Sequence, residues 1–260
     1  MTSIPTDFSR HGPCQIVECL SAFAYHCCWR WKNWVSPLLK TSHALVFFLL
    51  LDLGFLVLHF FYLGDILGNR FSIEDDHGFA EFYQHMKELA LAELLLVFLI
   101  ESDDLLFLAW TGLFAYFFID DSFQFHETVG LWLSERLNFS AAIGLRARDF
   151  GELLVTGFAT LSFVAVLLMT YRHGQHESRR ITRVLLSMLL ILAFFGVVVD
   201  MVHILFLEVP LGSAFGVVED GGEMLVMSLI LWYVVKQFLF RDAMVTSSVT
   251  SNQRDTSMTG

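Results

Sequence analysis

Repeated apolar stretches of membrane-spanning length constrain the fold of this chain more than any other feature. The first stretch runs from about His43 to Gly64, and an α-helix needs about 20 predominantly apolar residues to cross a bilayer. Apolar residues make up 55% of the sequence and charged residues only 17%, whereas soluble domains carry about 25% charged residues. The sequence therefore predicts an all-α integral membrane protein.

The apolar stretches divide into six predicted spans. The run between Leu89 and Ile119 is too long for one crossing, and the polar residues 101–104 interrupt it, which predicts a tight turn between the second and third spans. The alternative that these two spans form a re-entrant hairpin stays open. The predicted six-transmembrane helix bundle occupies residues 43–240, with spans at about 43–64, 86–101, 105–125, 149–171, 184–207 and 215–240.

Polar and amphipathic segments lie outside the predicted spans. Residues 1–42 are predicted to be a cytoplasmic tail, in which apolar residues recur every three or four positions between Gln15 and Leu38. This pattern is typical of a helix on a membrane surface, and a packed cap on the bundle fits it equally well. A second amphipathic stretch, 131–148, predicts a surface helix after the third span. Residues 241–260 are rich in serine and threonine and are predicted to be a disordered cytoplasmic tail.

The distribution of lysine and arginine sets the predicted orientation. Six crossings place both termini on the same side of the membrane. If that side is cytoplasmic, eleven of the 16 lysine and arginine residues lie in cytoplasmic segments and five lie on the opposite side. The positive-inside rule therefore predicts that both termini are cytoplasmic. We expect a bacterial inner-membrane protein surrounded by lipid, and a net charge of -11 gives no support for nucleic-acid binding.

Polar residues of spans three to six gather, with this topology, in one layer towards the outer face. A charged side chain inside a bilayer is costly unless it has a partner. Residues three or four positions apart share a helix face, and each of these four spans supplies such a pair. The pairs are Ser122 and His126, Asp149 and Glu152, Asp200 and His203, and Glu219 and Glu223.

The predicted layer has the composition of a metal site. Carboxylates and histidines from facing helices build the metal sites of helical bundles. A donor set without thiolates suits a divalent metal such as zinc, manganese or iron. The predicted ligands are His126, Asp200, His203, Glu219 and Glu223, and the predicted supporting residues are Asp120, Asp149, Glu152 and Asp220.

If this layer binds a metal, the predicted function is hydrolysis of a lipid-like substrate at the outer face. The pKa of a metal-bound water can fall to about 7. Asp121 or Glu127 is the predicted general base, and Ser122 is predicted to orient the water.

Two alternatives use the same residues without this chemistry. Crowded carboxylates share protons, as the carboxylates of a proton- or cation-coupled transporter or channel do. In a structural or sensory membrane protein, the layer would only fix helix packing. Acids such as Asp149 and Glu219 are also favoured at helix N-termini by the helix dipole. The sequence leaves the oligomeric state open.

The segment Ser122-Phe-Gln-Phe-His126 is similar to the Ser-x-x-x-His element of the alkaline ceramidase-like membrane hydrolases, the CREST superfamily. That resemblance implies a seven-span bundle in which zinc, held by three histidines with help from a serine and an aspartate, activates water against an amide or related bond. The later His-x-x-x-His of that family is absent, and Glu219-x-x-x-Glu223 stands in the comparable place. The whole chain also resembles bacterial multi-span proteins without an assigned activity, which carry Asp-Asp-Ser-x-Gln-x-His-Glu and Glu-Asp-Gly-Gly-Glu-Met segments.

Overall fold

The computed structural model describes residues 41–63, 69–75, 77–142, 145–206 and 212–258. The predicted surface helix between Gln15 and Leu38 lies outside them. The described residues are helical apart from turns and one isolated bridge, so the all-α prediction is confirmed for this part of the chain. The helices are α1 (Thr41–Leu63), α2 (Phe79–Ser102), α3 (Leu106–Phe123), α4 (Phe125–Arg136), α5 (Ala147–Tyr171), α6 (His176–Ala193), α7 (Asp200–Phe206) and α8 (Gly212–Met258).

Five helical segments among the described residues are long and apolar enough to cross a membrane, which indicates a membrane protein. They match five of the six predicted spans. The second predicted span, within α2, is not among them because Lys87, Glu88 and Glu93 interrupt its apolar sequence. The five segments are Ser42–Phe61, Leu106–Phe123, Ala147–Tyr171, His176–Ile204 and Ala214–Phe240.

Helices α2 and α3 form a hairpin joined by a tight turn, at the place where the sequence predicts one. Asp103 adopts a left-handed conformation with φ 51° and ends α2. Asp104 then accepts a hydrogen bond from Leu106 N at 3.0 Å, which forms an Asx turn just before α3. The rings of Phe98 and Phe107 stack across the hairpin with centroids 5.2 Å apart. The turn therefore holds the two helices in close contact along their length.

Helix α8 packs against α1, α2, α6 and α7. Apolar side chains such as Met227, Ile230 and Val234 are buried along it. The helix continues to Met258, beyond the predicted end of the last span and into the predicted disordered tail. Helix α8 therefore carries residues that face several other helices.

A π-helical segment, Phe194–Val199, joins α6 to α7 within one continuous helical stretch. Segments of this type mark functional sites more often than ordinary helix does. This segment packs against α8, where Phe195 contacts Gly222 so closely that a Cβ on that glycine would overlap the ring. The polar residues of α7 follow directly.

Helices α4 and α5 pack through two glycines. A Cβ on Gly151 would overlap the backbone of Gly130, so the helices touch backbone to backbone. Arg148 forms ion pairs with Glu127 of α4 and with Glu152 of α5. Helix α4 ends at Arg136, and the predicted surface helix at 131–148 is therefore two segments separated by a loop.

Candidate metal centre

Five polar residues converge where α2, α3 and α4 meet, and we call them the Asp121 cluster. The cluster consists of His85 and Glu88 of α2, Asp120 and Asp121 of α3, and His126 of α4. His85 and Glu88 are three positions apart on a continuous helix and therefore share a face. His85 Nδ1 lies 3.8 Å from Glu88 Oε2, and the Glu88 carboxylate is within hydrogen-bonding reach of Asp121.

Donor atoms in the Asp121 cluster are spaced for metal binding. One donor each from His85, Glu88 and Asp121 can be chosen so that all three lie within 4.8 Å of one another, and the same holds for Asp120, Asp121 and His126. Within the described residues, these are the two groups of three donors that meet this spacing. Asp121 belongs to both groups.

A break in the helix brings His126 to the cluster. Gln124 adopts a left-handed conformation with φ 49°, which ends α3 and begins α4. Asp120 then accepts a hydrogen bond from His126 N at 2.7 Å, and the second oxygen of the same carboxylate lies 3.1 Å from His126 Nδ1. Asp120 therefore caps α4 and holds the imidazole in place.

The environment of His126 favours its charged form. The Asp120 carboxylate, 3.1 Å from its Nδ1, raises the pKa of His126 above the ordinary 6.5, and the negative charges of Asp121 and Glu127 add to this, while burial opposes it. The side chain is 32% exposed. Solvent therefore reaches His126.

Glu88 is buried with one carboxylate oxygen unpaired. The residue is 1% exposed, and its Oε2 makes no hydrogen bond within the described part of the chain. His85 Nδ1, which faces that oxygen, is buried without a hydrogen bond in the same way. Leaving such atoms unpaired costs free energy, so this arrangement calls for a cation or a shared proton.

Lys87, the residue beside Glu88, does not supply this cation. Its Nζ donates to Met224 O at 2.8 Å and to Ser228 Oγ at 3.2 Å, and lies 3.5 Å from Asp52 Oδ1. The ammonium also lies 4.3 Å from the centre of the Tyr83 ring. This buried lysine is therefore committed to partners on α1 and α8.

A second group of polar residues lies between α7 and α8, and we call it the Glu219 cluster. His203 Nδ1 lies 2.8 Å from Glu219 Oε2, and the Asp200 carboxylate is within hydrogen-bonding reach of Glu219. The Glu74 carboxylate and the His203 ring both lie against Gly216. The segment that carries Glu74 thus brings a further acid to the cluster, which consists of Asp200, His203, Glu219 and Glu74.

Glu223 lies between the two clusters. A Cβ on Gly196 of the π-helical segment would overlap its carboxylate, so the side chain occupies the space that this glycine leaves. The charges of Asp121 on one side, and of Glu219 and Asp200 on the other, act on it. Titratable groups therefore continue from α3 to α7 across α8.

The predicted ligands are divided between these places. Asp200, His203 and Glu219 are brought together, with Glu223 one turn further along α8. His126 instead contacts Asp120. The predicted pairing of Ser122 with His126 on one helix face is not seen, because the break at Gln124 separates them. Neither three-donor group of the described residues contains a predicted ligand other than His126.

Other predicted site residues stabilise the start of α5. Asp149 is fully buried and accepts hydrogen bonds from Arg146 N at 2.7 Å and from the Arg146 guanidinium at 2.8 Å. Glu152 and Glu127 both pair with Arg148. These acids are held by arginines. Asp220 follows Glu219 on α8 and is half-buried.

The sequence prediction did not name His85 and Glu88 among the candidate ligands. Their spacing of three positions was the available signal. The sequence could not show that this face of α2 turns towards Asp121, because spacing defines a face but not its neighbour.

These helices and this cluster define a helical membrane protein with a candidate metal centre. The chain belongs to the family described as domain of unknown function DUF8692, whose model matches residues 89–237. No curated protein and no solved structure matches the chain. The matched range contains Asp121, His126 and the Glu219–Glu223 pair and begins directly after Glu88. A bacterial source and the likeness to alkaline ceramidase-like hydrolases stay predictions.

Proposed function

We propose that this chain is a metal-dependent membrane hydrolase, with its metal held by His85, Glu88 and Asp121. The observation that carries the proposal is the convergence of two buried, unpaired donors on a carboxylate. Glu88 Oε2 and His85 Nδ1 face each other at 3.8 Å and make no hydrogen bond in the described part of the chain, and His85 and Glu88 each have a donor atom within 4.8 Å of one on Asp121. A divalent cation would satisfy all three groups at once.

The donor set favours a catalytic site over a structural one. Three nitrogen and oxygen donors leave a coordination position for water, as in catalytic zinc sites, whereas structural zinc sites use four protein ligands. Imidazole with carboxylates also suits manganese or iron. The 3.8 Å between His85 Nδ1 and Glu88 Oε2 slightly exceeds the separation of about 3.4 Å between ligands at about 2.1 Å in a tetrahedral site. A small rotation of either side chain closes that difference.

Glu223 is the best-placed general base in this proposal. Its carboxylate lies where the charge of Asp121 acts on it, and among the described residues no arginine forms an ion pair with it as Arg148 does with Glu127. Asp121 changes from the predicted base to a ligand. Ser122 remains a proposed water-orienting residue.

The proposed substrate is lipid-like and reaches the centre from the outer leaflet. This requires α2 to be the sixth crossing, with both termini cytoplasmic, as the sequence predicts. Helix α2 has 24 residues, which give about 36 Å at about 1.5 Å per residue, more than the hydrocarbon thickness of about 30 Å. Lys87 and Glu88 are buried against protein, so they do not prevent the helix from meeting lipid on its other face.

Metal content tests the first part of the proposal. Wild-type protein purified in detergent without chelators should hold stoichiometric zinc, manganese or iron by elemental analysis. Glu88→Gln and His85→Ala should lower the metal content. Glu93→Gln is the matched control, because Glu93 is an exposed acid on the same helix. Wild-type protein without stoichiometric metal would overturn the proposal.

Hydrolysis tests the second part. Fluorescent lipid amides and lipid esters in mixed micelles are the substrates, and cleavage should depend on metal and fall strongly in Glu223→Gln with the metal content retained. If the metal-loaded wild type cleaves none of these substrates faster than Glu223→Gln does, the hydrolase proposal is wrong, whereas the proposed metal centre is unaffected.

A proton- or cation-coupled carrier is the second candidate. It is favoured by the continuity of carboxylates and histidines from the Asp121 cluster through Glu223 to the Glu219 cluster, since carboxylates in contact share protons. Proteoliposomes with a pH or voltage gradient should then show a flux that Glu223→Gln abolishes. Absence of any wild-type flux above that of empty liposomes would exclude this candidate.

A further inference from the structure

We infer that the Asp121 cluster holds two divalent cations, with the Asp121 carboxylate as the bridge between them. This inference rests on the proposed metal centre and specifies its nuclearity. The first cation would take His85, Glu88 and Asp121, and the second would take Asp120, Asp121 and His126.

Sharing of Asp121 is the geometric basis. Each three-donor group has its donors within 4.8 Å of one another, and a carboxylate has two oxygens that can each bind a different ion. Paired metal ions in two-metal enzymes lie about 3.5–4 Å apart. A single bridging carboxylate between adjacent donor groups provides this arrangement.

The second donor group is already assembled. Asp120 is buried, and its Oδ2 lies 3.1 Å from His126 Nδ1, close to the separation of two ligands on one ion with bonds of about 2.1 Å. The hydrogen bond from His126 N to Asp120 Oδ1 fixes this pair. The two donors therefore need little rearrangement to bind an ion together with Asp121.

Both donor groups contain carboxylates that repel each other when ionised. Glu88 and Asp121 act on each other in the first group, and Asp120 acts on both of them. A divalent cation in each group would offset this repulsion. Lys87 is engaged by Asp52 and Met224.

The unpaired Glu88 oxygen points independently to a ligand. Glu88 is 1% exposed, its Oε2 makes no hydrogen bond in the described residues, and it is directed into the cluster that Asp121 divides. The first donor group is therefore built around a buried oxygen whose ion-pair partner, His85 Nδ1, lies 3.8 Å away, beyond hydrogen-bonding distance.

Manganese loading tests the inference. Detergent-purified protein, stripped and reloaded with Mn²⁺, should bind two ions per chain, and its electron paramagnetic resonance spectrum should show spin coupling between them. His126→Ala should bind one ion and give the spectrum of isolated Mn²⁺, because the second donor group is lost. Glu88→Gln should also bind one uncoupled ion. His173→Ala is the matched control, since His173 is exposed in the turn before α6, and it should bind two coupled ions.

The outcomes separate this inference from the proposed function. One uncoupled Mn²⁺ in the wild type would overturn the two-ion centre while the metal centre stands, and so would two ions retained in His126→Ala. No bound Mn²⁺ in the wild type would overturn both. If His126→Ala does not fold, the wild-type stoichiometry and spectrum decide alone.

Discussion

Lys87 Nζ donates a hydrogen bond to the backbone carbonyl oxygen of Met224 at a distance of 2.8 Å. Their chain neighbours, Glu88 and Glu223, are acids whose charges act on each other. A buried lysine on α2 thus holds α8 at the level where two acids approach. The repulsion between these acids is opposed by a contact one residue away in each helix.

Replacement of Lys87 by methionine should destabilise the protein strongly. Asp52 is 6% exposed and would keep its hydrogen bond from Ser228 but lose its cation. Removing one partner of a buried ion pair costs about 3–5 kcal/mol. The unfolding temperature of Lys87→Met in detergent should be markedly lower than that of the wild type.

The double variant Asp52→Asn/Lys87→Met is the control for that loss. It removes the uncompensated charge, and we expect it to be more stable than Lys87→Met alone. An unfolding temperature of Lys87→Met equal to that of the wild type would show that the pair contributes nothing.

Replacement of Gly151 by alanine should disrupt the contact between α4 and α5. The added Cβ would overlap the Gly130 backbone, which cannot move aside as a flexible side chain can. Overpacking of this kind costs about 1–3 kcal/mol, measurable as a lower unfolding temperature. Gly157→Ala on the same helix is the control, because nothing lies within 4 Å of its Cβ position and alanine favours helix. Equal stability of the two variants would contradict the prediction.

Asp104 should make stability depend on pH in the acidic range. Burial raises its pKa, but hydrogen bonds from Ser178 and from the backbone N–H groups of Gln175 and Leu106 outweigh burial and hold the pKa below 3.8. A carboxyl whose pKa is lower in the folded state stabilises the protein fully above its unfolded value. This stabilisation is lost as the pH falls from 3.8 through the lower folded-state pKa.

The variant Asp104→Asn measures how much the ionised Asp104 carboxylate contributes to stability. Asparagine keeps one acceptor oxygen for two backbone donors, and loss of a hydrogen bond to a charged group costs about 1–3 kcal/mol. The variant should be less stable than the wild type at pH 7, and the difference should shrink as the pH falls below 3.8. A difference that stays constant across this range would exclude ionisation of Asp104 as its cause.

Replacement of Gly196 by alanine should alter the metal centre more than the fold. The new Cβ meets only the flexible end of the Glu223 side chain, which can move. The displaced carboxylate would no longer balance the charge of bound ions, and we expect Mn²⁺ affinity to fall about tenfold, or about 1.4 kcal/mol. Gly221→Ala is the control, with nothing within 4 Å of its Cβ position. If Gly196→Ala binds Mn²⁺ with unchanged affinity, Glu223 does not contribute to metal binding.

Apolar length made most of the helices predictable. The third predicted span, 105–125, corresponds to α3 at Leu106–Phe123, and the charged interruption at 101–104 coincides with the observed turn. Transfer of backbone into lipid requires long helices, so such runs leave few alternatives. The π-helical segment carries no comparable signal, because its six residues are apolar like those around them.

The site was predictable only within continuous helices. Asp200 and His203, three positions apart, both reach Glu219, as the spacing rule indicates. Ser122 and His126 lie on different helices, because Gln124 takes a positive φ that sequence spacing does not reveal. His85 and Glu88 obey the rule, but their role depends on which helix lies opposite. Spacing restricts geometry within an element, whereas a binding site depends on contacts between elements.

The π-helical segment at 194–199 also determines how the side chains of α7 are rotated about the helix axis relative to those of α6. In an α-helix each residue turns the chain by about 100°, so the wider turn between α6 and α7 shifts every later side chain around the axis relative to an uninterrupted helix. Asp200 and His203, which follow the segment, meet Glu219 with that offset in place. The number of residues in this apolar segment therefore fixes the direction of these two side chains. Deletion of one residue there would turn them away from α8, although every polar residue would be unchanged.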